Sequence, residues 1–181
     1  MDVEVKVKVA IPCVMECKYD GIRLQAEIFN FDGLKKVKLT SRRGKDRTLD
    51  YPEIVDTLIE HFPVGIILDG EIISRSFQSL TRKDDISKKK YIVFDLLIDE
   101  KLHYVNRYDN LRNLFTSLGL LTLGYISETD TRFTYTYSTN IELAEHYTAN
   151  TIKDIRDYYE QLNEREEEGI ILKSLYSPYE R

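Results

Sequence analysis

Lys18-Tyr19-Asp20-Gly21-Ile22-Arg23 is the stretch that decides how this chain is read. A lysine, an Asp-Gly pair and an arginine five residues after the lysine sit between two apolar segments. Each fixed letter fills roughly one position in sixteen, so four together arise by accident in roughly a few sequences per thousand of this length. Taken alone, the stretch reads equally as a charged β-turn, because Asp-Gly is turn chemistry and flanking cations are readily solvated. Residues 12–18 read as a strand, along which side chains alternate faces. Glu16 and Lys18 then share one face, while Cys13, Met15 and Cys17 share the other and pack into a core. The Asp20-Gly21 turn ends the strand and leaves Lys18 at its mouth, where a side chain can meet a ligand. A lysine amine is nucleophilic only when deprotonated, which burial or neighbouring positive charge favours.

The 181 residues suggest one domain with a substantial core. A hydrophobic fraction of 42% and a charged fraction of 31% are ordinary for a soluble globular protein. No apolar run approaches the length of a membrane span, and the N-terminus lacks a signal-peptide pattern, so an intracellular protein with no membrane partner is expected. Cys13 and Cys17 lie four apart on a strand, about 13 Å, too far to bridge each other. They are expected as free thiols, and His61, His103 and His146 show no zinc-ligand spacing with them.

The net charge of −5 argues weakly against nucleic acid, but its distribution is uneven. Segment 35–47 holds seven cations (Lys35, Lys36, Lys38, Arg42, Arg43, Lys45, Arg47) against Asp46 alone, a net +6. Segment 82–90 holds five (Arg82, Lys83, Lys88, Lys89, Lys90) against Asp84 and Asp85, a net +3. Two such islands suit a phosphate backbone, and equally suit solvated faces.

Val3, Val5, Val7 and Val9 alternate with polar residues and predict an opening strand. After the strand ending at Lys18, another is expected over Ile22–Phe29, turning at Asn30-Phe31-Asp32-Gly33 into Leu34–Thr40. Asp50 and Glu53 read as a capping box for a helix with Ile54, Leu58 and Phe62 inward, stopped by Pro63. Gly65–Ile73 is a buried strand whose Asp69-Gly70-Glu71 is costly unless the acids are paired or bound to a cation. Residues 75–90 read as a short helix and a loop, and Tyr91–Ile98 as an apolar strand containing Phe94-Asp95. Tyr108, Leu111, Phe115 and Leu118 mark a helix face. Strands near 120–126 and 132–137 follow, then helices at 140–148 and 151–163, the second with Ile152, Ile155, Tyr159 and Leu162 inward. The acidic run Glu164–Glu168 leads into a last strand, Gly169–Leu175, and regular alternation there puts Glu168 and Lys173 on opposite sides. Strands with interspersed helices, several joined as hairpins, indicate α+β.

Lys18-Tyr19-Asp20-Gly21-Ile22-Arg23, Ser41-Arg42-Arg43-Gly44, Asp69-Gly70-Glu71, Tyr91-Ile92-Val93-Phe94-Asp95 and Glu168-Gly169-Ile170-Ile171-Leu172-Lys173 together resemble the ATP-dependent DNA ligase family in order and spacing. The resemblance implies an α+β nucleotidyltransferase (ATP-grasp-like) domain of two antiparallel sheets with flanking helices, carrying an adenylate on its lysine. It implies that Lys18 attacks the ATP α-phosphate, Glu16 reads the adenine edge and Arg23 contacts the ribose and phosphate side. Arg42 corresponds to the arginine of the family's basic loop. Glu71 corresponds to the acid that holds the ribose hydroxyl or a metal, Phe94 to the aromatic stacked on adenine, Glu168 to a second acid near the metal, and Lys173 to a lysine near the α-phosphate.

The implied cofactors are ATP and Mg2+ or another divalent cation, and the implied partner is nicked duplex DNA, met by a monomer. The family continues past its Glu-Gly-x-x-x-Lys motif to a Lys-x-Lys pair and a small oligonucleotide-binding barrel. This sequence stops at Ser177-Pro178-Tyr179-Glu180-Arg181. Residues 1–181 are therefore expected to be an adenylation domain incomplete at its C-terminus, without the OB-fold domain, and a second polypeptide is one source of the missing part. RNA ligases and mRNA capping guanylyltransferases share the Lys-x-Asp-Gly core; Ser41-Arg42-Arg43-Gly44 and Asp69-Gly70-Glu71 favour DNA ligase. A non-catalytic remnant that binds nucleotide or nicked DNA through the basic islands is the alternative of a different class.

Overall fold

The computed structural model describes residues 8–74, 89–99, 101–127, 130–135 and 140–179. In chain order the elements are β1 (Cys13–Cys17), β2 (Ile22–Phe31), β3 (Leu34–Ser41), a 3-10 turn (Thr48–Asp50), α1 (Pro52–His61), β4 (Ile66–Ile73) and β5 (Lys90–Leu96). There follow α2 (Tyr104–Ser117), β6 (Leu121–Ser127), β7 (Asp130–Tyr135), β8 (Ile141–Leu143), β9 (Tyr147–Ala149), α3 (Ile152–Glu164) and β10 (Ile170–Ser174). One sheet has the order β3-β2-β4-β5-β8, a second β10-β1-β9, and β6 pairs with β7 as a separate hairpin. Every pair is antiparallel except β5–β8. The α+β class expected from the sequence is the one found, with that one parallel pair and the β6–β7 hairpin added to the two sheets. No helix among the described residues is long and apolar enough to cross a membrane.

The alternation expected along β1 is what divides the interior. Val14 joins the large core that β2, β4, β5, α1 and α2 enclose, while Cys13, Met15 and Cys17 join a second cluster with Ala149, Ile155, Tyr158 and Leu162. All five residues of β1 are buried, so the strand is covered on both faces. Both cysteines are free thiols. Val9 packs against the second cluster, whereas Val3, Val5 and Val7 lie outside the described residues.

The β2–β3 hairpin closes through Asp32 and Gly33, both at positive φ (52° and 74°), with Phe31 opposite Leu34. Two consecutive left-handed residues suit the twist of flanking strands, and Asp-Gly supplies them with little strain. The α1 face of Ile54, Leu58 and Phe62 is fully buried, as its spacing requires.

Three expectations fail. The Asp50–Glu53 capping box does not form: Tyr51 is the N-cap, Pro52 sets the first helical turn, and Asp50 closes the preceding 3-10 turn with Arg47 on its carboxylate at 2.8 Å. The helix expected over 140–148 is instead β8 and β9, because Ile141 and Leu143 alternate inward beside β5 and Tyr147–Ala149 pairs with β1. Sheet pairing here outweighs local periodicity. In α3, Tyr158 rather than Tyr159 completes the buried stripe with Ile155 and Leu162, and Ile152 in the first turn is exposed. Thr151 and Asp154 form the capping box that α1 lacks. Of the expected helix and loop at 75–90, residues 75–88 lie outside the described residues. So does most of the second basic island: Lys89 is buried over the Tyr51 ring, and Lys90 pairs with Glu142.

Tyr91 is fully buried and its hydroxyl donates to the carbonyls of Leu24 (2.8 Å) and Leu68 (3.2 Å). Gly70 is packed so closely on it that an added Cβ would stand 2.7 Å from the Tyr91 ring and 2.5 Å from the Ile92 carbonyl oxygen. Gly70→Ala is therefore expected to lower unfolding free energy by about 1–3 kcal/mol in urea denaturation. An unchanged midpoint would show that the ring has room to move.

Candidate functional site

β1 ends at Cys17, and the backbone N–H of Lys18 donates to the Gly169 carbonyl at 2.9 Å, fastening the lysine to the entry of β10. Its Nζ is in ion-pair contact with Glu168 Oε1. Because β10 begins only at Ile170, strand alternation does not reach back to Glu168. That is how Glu168 can face Lys18 while Lys173 turns to the neighbouring cleft.

The cleft has a volume of about 430 Å³ and lies between the two sheets, within the size range of small-molecule sites. Glu16, Arg23, Glu71, Phe94 and Lys173, expected to act together, all line it. Cys17 and Tyr19, on either side of Lys18, line it as well. Glu16 is almost completely buried; Lys173 Nζ stands 2.6 Å from its Oε2, and the Tyr104 hydroxyl donates to its Oε1. Phe94 owes its position to the β4–β5 ladder. Asp69 pairs with Asp95 and Gly70 with Val93, so Phe94 is the unpaired residue of a bulge. A bulge re-aims the extra side chain, and this one turns a ring into the cleft with Lys173 Nζ 4.9 Å and the Arg23 guanidinium 5.6 Å from its centroid.

The two acids around Gly70 have separate fates. Asp69, fully buried, accepts a two-pronged bond from Arg23, at 3.1 Å from Nε and 2.7 Å from Nη2, and a third from the Tyr179 hydroxyl at 2.5 Å. Burial pushes the Tyr179 hydroxyl up to about 12, and the bond to Asp69 adds to this, so it stays a donor. Glu71 has no such partner among the described residues. Burial raises its carboxyl to about 7, the charges of Asp69 and Asp20 push the same way, and Arg23 and Lys18 offset them only in part. Of the two acids expected at a metal, Glu71 lines the cleft, whereas Glu168 and its partner Lys18 are not among the lining residues; no group of three or more acids, histidines or cysteines gathers to hold an ion among the described residues.

Arg42 stands apart from this group. It is exposed on the turn where Gly44 N–H donates to the Ser41 carbonyl, and it does not line the cleft. Tyr104, Arg107 and Tyr179 also line the cleft, and the sequence reading gave none of them a place in the site. Arg107 clamps Asp95 at 2.9 and 3.0 Å and also donates to the Ser177 carbonyl at 3.3 Å. A signal existed for two of them, since Tyr104 and Arg107 extend the buried stripe of Tyr108, Leu111 and Phe115 by one turn.

The family model described as "ATP dependent DNA ligase domain" matches residues 4–181. The chain belongs to that family. The DNA ligase of Methanobrevibacter smithii is 29% identical to this ligase domain, over 92% of this chain and 30% of the relative. The structure titled "mycobacterial DNA ligase D complexed with ATP and MES" superimposes with a TM-score of 0.67 at 22% identity, covering 94% of this chain and 51% of that one. Chlorella virus DNA ligase-adenylate gives 0.67 at 19% identity, covering 96% and 58%. The ligase domain thus spans under a third of the M. smithii protein and about half of these solved chains. The adenylation-domain fold is shared with the solved ligases, and the family is the one the five motifs resemble.

Glu71 makes a prediction about pH. Its folded value near 7 lies above the ordinary 4.5, so between these values the folded protein binds a proton that the unfolded chain has released. Stability from this group is full below the lower value and is lost as pH rises through the upper one. Glu71→Gln should abolish that slope, so that its melting temperature gains on the wild type between about pH 5 and about pH 8. Parallel melting curves for the two proteins across that range would contradict the assignment.

Proposed function

We propose that the cleft binds ATP and that Lys18 takes AMP from it as a covalent lysyl adenylate, the first step of strand joining. The observation that carries this reading is the convergence of Glu16, Phe94, Arg23, Glu71 and Lys173 on one cleft at the end of the strand that Lys18 follows. A ring, an acceptor for an exocyclic amine, and cations for phosphate are the groups a nucleoside triphosphate requires. Phe94 stacks on the adenine and Glu16 reads its edge. Arg23, held rigid by Asp69, meets the ribose and phosphate side, and Lys173, which stands on Glu16 in this structure, leaves it for the α-phosphate when the nucleotide binds.

In the transfer, Lys18 Nζ forms a bond to the α-phosphorus while the bond to the bridging oxygen breaks, and pyrophosphate leaves. The amine must first lose a proton, and the contact of Glu168 with the ammonium supports it as the acceptor. Glu71 and Glu168 are the residues that would hold a divalent cation with the triphosphate. That ion would supply neutralisation of the charge that grows on the leaving oxygens. Positioning and electrostatics do most of the work in such transfers.

The adenylate then passes to the 5′-phosphate of a nicked duplex, and the adjacent 3′-hydroxyl displaces AMP to seal it. The exposed Ser41–Lys45 turn with Arg42 and Arg43 supports contact with the DNA backbone, since its cations face solvent. The test is incubation with α-labelled ATP and magnesium, followed by measurement of acid-labile, base-stable label on the protein. Lys18→Ala should reduce the label to background while leaving the melting temperature nearly unchanged. Label at the wild-type level in Lys18→Ala would sink the assignment.

A further inference from the structure

Glu16 is a buried carboxylate with both oxygens engaged. Tyr104 O–H donates to Oε1, and the Lys173 ammonium stands 2.6 Å from Oε2. An ionised carboxylate only accepts hydrogen bonds, and with a donor on each oxygen its remaining lone pairs present an acceptor edge. Tyr104 itself has little freedom. Its backbone N–H donates to the Ser177 carbonyl at 2.9 Å, and its ring is stacked near Tyr108 (6.3 Å, 28° between planes) and His146 (5.9 Å, 7°). Lys173 Nζ lies 4.6 Å from its ring centroid, so one tyrosine touches both members of the Glu16–Lys173 pair. Burial and the charge of Glu16 hold the hydroxyl far above the ordinary phenol range, so it remains a donor at any working pH.

We propose that Tyr104 is a positioning residue for base selection: its hydroxyl fixes the Glu16 carboxylate as an acceptor-only edge toward C6 of the base, so the cleft takes a purine with an amine at C6 and turns away one with a carbonyl oxygen there. The inference rests on the nucleotide reading of the cleft above. Adenine offers an N–H donor where guanine offers an acceptor. Opposed acceptors leave two buried polar groups unpaired, and polar sites discriminate most strongly in that situation. Without the Tyr104 hydroxyl, Glu16 keeps only the ammonium of a flexible lysine, and the direction of its acceptor edge is no longer fixed.

The experiment uses the 181-residue chain and its Tyr104→Phe variant, with ATP and GTP compared in equilibrium binding and in transfer of α-label to protein. Losing one hydrogen bond to a charged group, Tyr104→Phe should raise KM for ATP and lower the ATP-to-GTP preference, each about tenfold. The rate at saturating ATP should change by less than about threefold, a split that general loosening of the fold would not give. In a Glu16→Gln background, adding Tyr104→Phe should leave the preference where Glu16→Gln set it. The background also carries Lys173→Met, because Glu16→Gln alone would strand the Lys173 ammonium, and the preference is then read by equilibrium binding, so this second comparison stands even if the single variant does not fold. A folded Tyr104→Phe with unchanged preference overturns the proposal, as does a further fall in the Glu16→Gln background. A wild type that labels from ATP but accepts GTP equally overturns the proposal and leaves the adenylation reading intact. A wild type that binds neither nucleotide overturns both.

Discussion

Strand β1 has no solvent face, and that constraint organises the molecule. Val14 is committed to one core and Cys13, Met15 and Cys17 to the other, so the strand can neither twist out nor slip by one residue. A one-residue shift would exchange every side chain between the two cores. The same fixed register gives Glu16 a buried seat between the sheets and brings the chain out at Lys18, which is 46% exposed. A rigid strand that delivers one buried and one accessible polar group, two residues apart, suits the roles proposed for them, base reader and nucleophile.

The cleft beside it is tied by three buried carboxylates, each facing a cation from another element. Glu16 of β1 meets Lys173 of β10, Asp69 of β4 meets Arg23 of β2, and Asp95 of β5 meets Arg107 of α2. Tyr104 and Tyr179 complete the first two pairs. Removing one member of such a pair strands a charge and costs about 3–5 kcal/mol, whereas replacing both need not destabilise. Their value is therefore in specifying which elements meet, and the segment Ser174–Tyr179 is recruited through them: Ser177 accepts from Tyr104 and Arg107, and Tyr179 reaches Arg23, Gln25 and Asp69. Glu71 has no such cation among the described residues, and burial raises its carboxyl.

Much of this was legible in the residues. The period-two pattern gave β1, β2 and β3, the Asp-Gly turn gave the hairpin, and Ile54, Leu58 and Phe62 gave α1. The cost of two acids around Gly70 pointed to a paired Asp69, which Arg23 supplies. What was not legible is what depends on partners distant in sequence. β8 and β9 are strands because β5 and β1 are there to pair with them, and Tyr158 faces inward because α3 packs on the cysteine face of β1. The bulge that turns Phe94 into the cleft is a property of the β4–β5 register, which no local pattern reveals. Tyr179 lies far from Asp69 in sequence, and nothing around either residue announces the bond between them.

On the proposed reading, the register of β1 delivers Lys18 as the nucleophile of this ligase domain. This is tested most directly by digesting the protein after incubation with ATP and magnesium under alkaline conditions, and locating the adenylate by tandem mass spectrometry. The expected result is an AMP adduct confined to the peptide containing Lys18. An adduct carried mainly by Lys173 or by another lysine, with the Lys18 peptide unmodified, would contradict it.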